Sequence, residues 1–369
     1  MRRVVVAAAA AATPHGGTAA SIDAALSGLS APLSPCPGLS VSVARYRGEL
    51  PNAATRVNAL AVAAFSEVAA SAGLGPKELK SAGLICGTSK GALDELLLLG
   101  PEGLEPYLRG PAAAVADALG CLGPLLAPAA ACATGTVAVA LGASAVASGQ
   151  ADLLLVGAAE SALHPLLISG YMRMGVYSSR GRVAPFSRDR DGFIAGEGAG
   201  ALVLEEENHA LARGVRPLCR LSSWAFGSDP GSAWNPAPDG APLYAVLRRA
   251  SSGLSHPPAV VLAHGTATAA GDVAEAAAVA ALLGRGAPVA ALKGCFGHLL
   301  GAAGAVELAV IAHSVARGVL PPVAGLPSPD AVLPVRPLDK PSPLLENCVL
   351  AIGAGFGGHL AAVGIEPWG

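Results

Sequence analysis

Short apolar runs, bounded by Gly, Pro and small polar residues, alternate along the chain with longer Ala-rich stretches. Compact runs rich in Val, Ile and Leu read as buried strands, and the longer stretches read as helices. The expected strands are Val4–Ala8, Gly83–Cys86, Asp152–Gly157, Ala201–Leu204, Val260–Ala263, Pro288–Leu292, Val349–Ile352 and Ala361–Ile365. The expected helices are Ala53–Gly73, Thr136–Ser148, Val273–Leu283 and Ala303–Ala316. Strands and helices in alternation predict an α/β fold.

The pattern also repeats. The stretch 135–149 aligns without a gap on 304–318, with Gly at both ends of each and Val137 over Val306. A second match follows. Gly196-Glu-Gly-Ala-Gly200 runs into the apolar segment Ala201–Leu204, as Gly355-Phe-Gly-Gly-His359 runs into Leu360–Val363. The two matches have different offsets, so one half carries a short insertion, which Val176–Arg190 supplies. Two copies of one unit imply a pseudo-twofold fold with a site where the halves meet.

Composition narrows the classes. With 52% hydrophobic and 14% charged residues, a 369-residue chain buries a large core. A net charge of −2 gives no basic footprint for nucleic acid. Seven scattered cysteines, with no C-x-x-C pair, argue against a disulfide framework or a metal site and for a reducing cytoplasm. The start, Arg2-Arg3 before an apolar run, imitates a signal peptide but reads better as a first buried strand. The uncharged stretch from Ala118 to Ala151 is broken by Gly123-Pro124 and Pro128, so it reads as strand, turn and core helix and not as a membrane span.

Four segments carry candidate chemistry. Cys132, in Ala130-Ala131-Cys132-Ala133-Thr134-Gly135, sits where an apolar run turns into a helix. Free N–H groups at a helix start favour thiolate, the nucleophilic form, although a lone buried Cys is more often structural. His264 ends a strand, and the loop Gly265-Thr266-Ala267-Thr268 leads to Asp272 and Glu275. The carboxyl end of an α/β strand is a favoured place for a site. Lys293 and His298 lie five residues apart ahead of a small-residue helix, where buried polar groups need partners; Glu307 is the obvious one for Lys293. Gly353-Ala-Gly-Phe-Gly-Gly358 is a turn whose backbone can approach a ligand, or simply a tight connection between strands.

Taken together, in this order, the four segments and Arg188-Asp-Arg-Asp-Gly-Phe-Ile-Ala-Gly-Glu-Gly-Ala-Gly200 resemble the β-ketoacyl-[acyl-carrier-protein] synthases of the thiolase superfamily, especially the elongating type. The resemblance covers essentially the whole chain. It implies a thiolase-like fold of αβαβα layers in two related halves. Residues 1–210 would carry the nucleophilic Cys, and 211–369 the two His and the Lys.

It also implies a reaction. An acyl group passes from a carrier-protein thioester to Cys132, malonyl-carrier protein loses CO₂, and the carbanion attacks the acyl carbonyl, in fatty-acid or polyketide biosynthesis. By the same resemblance, Cys132, His264, His298 and Lys293 are catalytic. Both histidines would donate to the malonyl thioester carbonyl, with Lys293 orienting His298 and held by Glu307. Asp272 and Glu275 would brace the histidine loop, and Thr266 and Thr268 would bind the phosphopantetheine arm. Phe356 would be the gatekeeper, its N–H joining that of Cys132 in an oxyanion hole. No metal or bound organic cofactor is expected, because the pantetheine arrives on the acyl carrier protein. That partner is acidic, so Arg56, Arg180 and Arg182 are candidate docking residues. A homodimer is expected, or a heterodimer with a related ketosynthase-like subunit. Neither nucleic acid nor membrane is an expected partner.

Two departures stand out. The loops in 86–118 and 227–260 are shorter than in typical members, which leaves acyl length open, and His359-Leu360 replace the usual Thr-Asn. A non-catalytic chain-length factor, a thiolase with its second catalytic Cys, and an initiating synthase with Asn for one His are the competing readings. Cys132 with both histidines argues against the first, Gly355-Phe-Gly-Gly in the region of the second Cys, with Cys348 upstream in a strand-like run, argues against the thiolase, and His298 disfavours the initiating synthase.

Overall fold

The computed structural model describes residues 2–344 and 347–369. Eleven strands form one hydrogen-bonded sheet: β1 (Val4–Ala12), β2 (Gly83–Gly87), β3 (Leu125–Leu126), β4 (Leu153–Glu160), β5 (Gly198–Glu206), β6 (Cys219–Ser228), β7 (Pro258–Leu262), β8 (Ala287–Ala290), β9 (Val335–Pro337), β10 (Cys348–Gly355) and β11 (His359–Pro367). Their order is β9-β8-β7-β10-β11-β6-β1-β5-β4-β2-β3. Outward from its centre the sheet is symmetric. On one side β1-β5-β4 are antiparallel neighbours and β4-β2-β3 are parallel. On the other side β6-β11-β10 are antiparallel and β10-β7-β8 parallel. Within the sheet the halves join through three residue pairs, Val4, Val5 and Val6 of β1 against Leu221, Arg220 and Cys219 of β6.

Five helices matter for the site: α1 (Arg56–Ser71), α2 (Thr134–Ala147), α3 (Pro165–Arg173), α4 (Ala269–Leu283) and α5 (Ala303–Arg317). The helices α2 and α5 touch each other and strands of both halves, so they form an inner layer between two sheet halves. Their apolar residues run almost all the way round, as expected of helices enclosed on most sides, although Leu141 of α2 is exposed. They are also the two helices aligned in the internal repeat, and they cross at its aligned glycines. A Cβ on Gly135 would stand 2.3 Å from Ala305 N, and one on Gly304 would stand 2.1 Å from Thr136 Oγ1. Only glycine lets the backbones approach this closely. With α1 outside the first half and α4 outside the second, the layers are αβαβα.

All eight expected strands and all four expected helices are present, with shifted ends. The apolar start is β1, a buried central strand. Within 118–151 the long element is α2, a core helix. One helical stretch, Leu300–Arg317, is long and apolar enough to cross a bilayer, but 83% of it is buried inside the protein. The strand β6 was not expected, nor was the helix Leu104–Leu119, which kinks at Gly110-Pro111.

Candidate active site

Cys132 stands in the turn that feeds α2. Ala133 N donates to Ala130 O (3.0 Å) and Thr134 N to Ala131 O (3.2 Å), while Thr134 Oγ1 donates to Ala131 O and accepts from Ala130 N. These bonds hold Ala131 at φ +48, a left-handed conformation that costs a non-glycine residue roughly 1–3 kcal/mol. The described non-glycine residues with positive φ are Ala131, Phe186, Ala267 and Leu300. Ala131 precedes Cys132, Phe186 bonds Asp272, Ala267 lies in the histidine loop and Leu300 follows His298 by two. The backbone strain is concentrated around this one place.

The hairpin β10–β11 closes over the cysteine. A Cβ on Gly355 would lie 3.0 Å from Cys132 N and 2.7 Å from Ala130 O, so the chain passes too close for any side chain. Phe356, next along, packs against the apolar cluster that contains Cys132.

His264 follows β7, and carboxylates from α4 shape its loop. Glu275 accepts from the N–H groups of His264 and Gly265, the latter at 2.8 Å. Asp272 accepts from Ala267 N at 3.0 Å and Phe186 N at 2.7 Å. Burial pushes Asp272 up to about 6 and Glu275 up to about 7, against the pull of those N–H donors. Thr268 caps α4 by accepting from Gly271 N, and its hydroxyl lies 2.9 Å from that of Thr266.

His298 is held by the first half of the chain. Its N–H donates to Ile194 O, and its carbonyl accepts from Gly196 N, both at 2.8 Å. Phe193 stacks edge-on against its ring at 4.9 Å between centroids. This explains the segment Arg188–Gly200: it positions the second imidazole across the boundary between the halves. Phe193 was not singled out in the sequence.

Lys293 and Glu307 form a buried ion pair at 2.7 Å, 1% and 5% exposed at their side chains. The ammonium group also lies 3.3 Å from Nδ1 of His264. This corrects the expectation that Lys293 orients His298: among the described hydrogen bonds, its imidazole partner is His264. The geometry assigns a tautomer. An ammonium only donates, so His264 Nδ1 accepts, and its Nε2 carries the proton. Burial, reinforced by the Lys293 charge, holds both histidines well below the usual imidazole range, so both are neutral rings with an N–H to offer. His298 Nδ1 is buried with no hydrogen-bond partner among the described residues.

One cavity is lined by Cys132, His264, His298, Thr266, Thr268, Glu275 and Phe356. The two imidazole centroids are 5.5 Å apart and perpendicular. A thiol from the first half and two imidazoles from the second therefore meet in a single space. Burial pushes the Cys132 thiol up to about 11, although Lys90 and Lys293 pull it down; desolvation thus outweighs the thiolate preference expected from the helix start. The thiolate fraction then rises about tenfold per pH unit below that value. The rate of Cys132 alkylation by iodoacetamide, followed by peptide mass spectrometry, should climb about tenfold from pH 7 to 8 and again to 9. A plateau by pH 8 would contradict this electrostatic balance.

The remaining cysteines are free and buried. Cys295 points into the central core and Cys348 lies in β10 beside Glu366, so neither joins the cavity lining. Among the arginines, Arg56 is committed internally: it pairs with fully buried Glu197 and donates to Tyr46 O at 3.0 Å. It is not a free docking cation. Arg180 is exposed and Arg182 half-buried, and they share Asp189 at 3.7 and 3.4 Å.

Comparison with known proteins agrees with this geometry. Residues 45–210 match the family profile "Beta-ketoacyl synthase, N-terminal domain", and 218–326 match "Beta-ketoacyl synthase, C-terminal domain". The chloroplastic 3-oxoacyl-[acyl-carrier-protein] synthase II of Arabidopsis thaliana is 33% identical over 262 residues, covering 68% of this chain but 48% of the relative. The 3-oxoacyl-[acyl-carrier-protein] synthase 2 of Synechocystis is 32% identical over 314 residues, covering 78% of this chain and 75% of the relative. The chain thus spans about half to three quarters of the curated relatives it matches. Among solved structures, the ishigamide ketosynthase/chain length factor superposes with a TM-score of 0.90 at 25% identity, over 100% of both chains. A β-ketoacyl synthase from Burkholderia phymatum gives 0.89 at 25%, again over 100% of both. By profile, sequence and fold, with the thiol and imidazoles gathered in one cavity, this chain belongs to the β-ketoacyl synthase family.

Proposed function

We propose that the protein is a 3-oxoacyl-[acyl-carrier-protein] synthase, an acyltransferase that joins malonyl-carrier protein to an acyl group held on Cys132. The observation that carries this reading is the cavity shared by Cys132, His264 and His298. Cys132 attacks the incoming acyl thioester, and the carrier thiol leaves, giving an acyl-enzyme. The malonyl thioester then loses CO₂. Negative charge gathers on its carbonyl oxygen, where the N–H of His264 and a second N–H from His298 stabilise the enolate. Neutral imidazoles suit this role because they donate without being acids that would quench the carbanion. The enolate carbon attacks the acyl carbonyl, Cys132 leaves as thiolate, and the product is two carbons longer. The N–H groups of Cys132 and Phe356 receive the oxyanion of each tetrahedral intermediate.

Lys293 and Glu307 act behind the rings, fixing the His264 tautomer. Asp272 and Glu275 hold its loop, while Thr266 and Thr268 meet the pantetheine arm in the entrance. The chemistry so written uses no metal and no bound organic cofactor. An acidic carrier protein would dock near Arg180 and Arg182, exposed and half-buried on the insertion 176–190. A second copy of the chain would pair at β3, the sheet edge, where Leu122, Leu125 and Leu126 are 74%, 45% and 53% exposed. A reducing cytoplasm suits seven unpaired thiols.

A chain-length-factor role is disfavoured by the intact thiol and imidazoles. His298→Ala separates the two half-reactions. Self-acylation of Cys132 should persist, while condensation with malonyl-carrier protein falls about 10²–10³-fold, the usual cost of one lost oxyanion donor. Stopped acylation assays with intact-mass detection read the first step and product chromatography the second. Undiminished condensation would remove His298 from the mechanism.

A further inference from the structure

Two residues with left-handed backbone hang on one carboxylate. Phe186 (φ +58) and Ala267 (φ +61) both donate their N–H to Asp272, at 2.7 and 3.0 Å. Asp272 is fully buried. Ala267 stands between Thr266 and Thr268, so its bend sets how those hydroxyls, and His264 three residues back, are presented to the cavity. A strained bend of this kind persists only where its surroundings over-determine it.

The surroundings are supplied by the stretch 186–192. At one end Phe186 N–H reaches Asp272; at the other, Gly192 N–H donates to Ala267 O at 2.8 Å. Arg190 lies between them and closes the arc. Its Nη1 donates to Ser187 O at 2.8 Å and to Asp330 Oδ2 at 2.7 Å. Asp330 returns to the start of the stretch, donating its N–H to Phe186 O at 2.9 Å, while its Oδ1 accepts from Val332 N at 3.1 Å. The side chains of the pair are 10% and 16% exposed, so salt screens it little. Arg190 Nε is buried with no hydrogen-bond partner among the described residues. The condensation as proposed uses neither Arg190 nor Asp330.

Resting on that condensation, we infer that Arg190 is a positioning residue: clasped by Asp330, it holds Asp272 to the N–H groups of Phe186 and Ala267 and thereby aims the Thr266–Thr268 bend and His264 at the incoming malonyl thioester. Charge is the means. Asp272 accepts from both N–H groups only as a carboxylate, because a proton turns one of its oxygens into a donor. Burial pushes it up to about 6, against the Phe186 N–H, the Arg190 charge and, more weakly, the Ala267 N–H and Lys293. Glu275, on the same helix, is the other charge that feels Asp272. Removing the Arg190 charge moves Asp272 further up, so protonation reaches into neutral pH and the bend loses its anchor there.

The test measures CO₂ release from malonyl-N-acetylcysteamine by the full chain, with hexanoyl-N-acetylcysteamine saturating, as kcat/KM from pH 5.5 to 9. Arg190→Gln should displace the acid limb upward by about one unit, so that the loss is about tenfold at pH 5.5 and shrinks steadily toward pH 9. Because one nitrogen makes both bonds, the ammonium of Arg190→Lys can stand in for it, and its limb should lie near that of the wild type. In an Asp272→Asn background, Arg190→Gln should displace nothing, since the titrating group is gone. Asp330→Ala, which opens the clasp without removing the guanidinium, should move the limb in the same direction by less, and it reads the effect even if Arg190→Gln does not fold. A rate that falls evenly at every pH marks a purely structural role and overturns the inference. A displacement that persists in the Asp272→Asn background, or a folded Asp330→Ala whose limb stays in place, does the same. Failure of the wild-type chain to release CO₂ at any pH overturns both this inference and the condensation it rests on.

Discussion

Cys132→Ala should reduce acyl transfer on the order of 10⁶-fold, the scale seen when a covalent nucleophile is deleted. The reason is local. Among the described residues that line its cavity, Cys132 is the one thiol. The substitution removes one sulfur from a turn whose hydrogen bonds run through Ala130, Ala131, Ala133 and Thr134, so the fold should survive. Incubation with acyl-carrier protein should add the acyl mass to the wild-type chain and nothing to the variant. Release of CO₂ from malonyl-carrier protein should continue, because the imidazole donors remain. Acylation of the variant at another cysteine would defeat the assignment of the nucleophile.

Glu307→Ala should destabilise the protein by about 3–5 kcal/mol, because it leaves the Lys293 charge 1% exposed and without its carboxylate. The urea midpoint reports this loss. Breaking a buried pair is worse than deleting both members, so the double change Lys293→Met with Glu307→Leu should recover most of the stability. Activity should not return with it. Without the ammonium 3.3 Å from Nδ1, nothing fixes the proton of His264 on Nε2, and condensation should stay low while the fold is sound. A double variant as unstable as the single one would show that the site depends on packing and not on charge compensation.

Hydrophobic pattern predicted the eight strands because each is buried along nearly its whole length, and the four helices because each carries a long run of buried apolar residues, although α1 and α4 keep an exposed side. β6 escaped it although it lies at the centre of the sheet. Its buried set is Cys219, Leu221, Ser223 and Ala225, so the alternation is real but weakened by a serine and small side chains. The helix Leu104–Leu119 was hidden by Gly110-Pro111, which reads as a break and is one: Gly110 has φ +59 inside it. The repeat was visible because its glycines are dictated by contact between α2 and α5, where no side chain fits.

By itself the sequence determined the residue types and their order: a cysteine ahead of a small-residue helix, a histidine closing a strand, a lysine and histidine ahead of a second helix, and the repeat that relates the halves. Tertiary structure alone decided which groups meet. It assigned Lys293 to His264, since the direction of a lysine side chain toward one of two imidazoles has no signature in spacing. It withdrew Arg56 into a pair with Glu197, and it set Phe193 edge-on against the ring of His298. Motifs record what each segment must contain for its own turn or cap. Partnership between distant segments depends on how the two sheet halves close on α2 and α5, and only the folded chain fixes that distance.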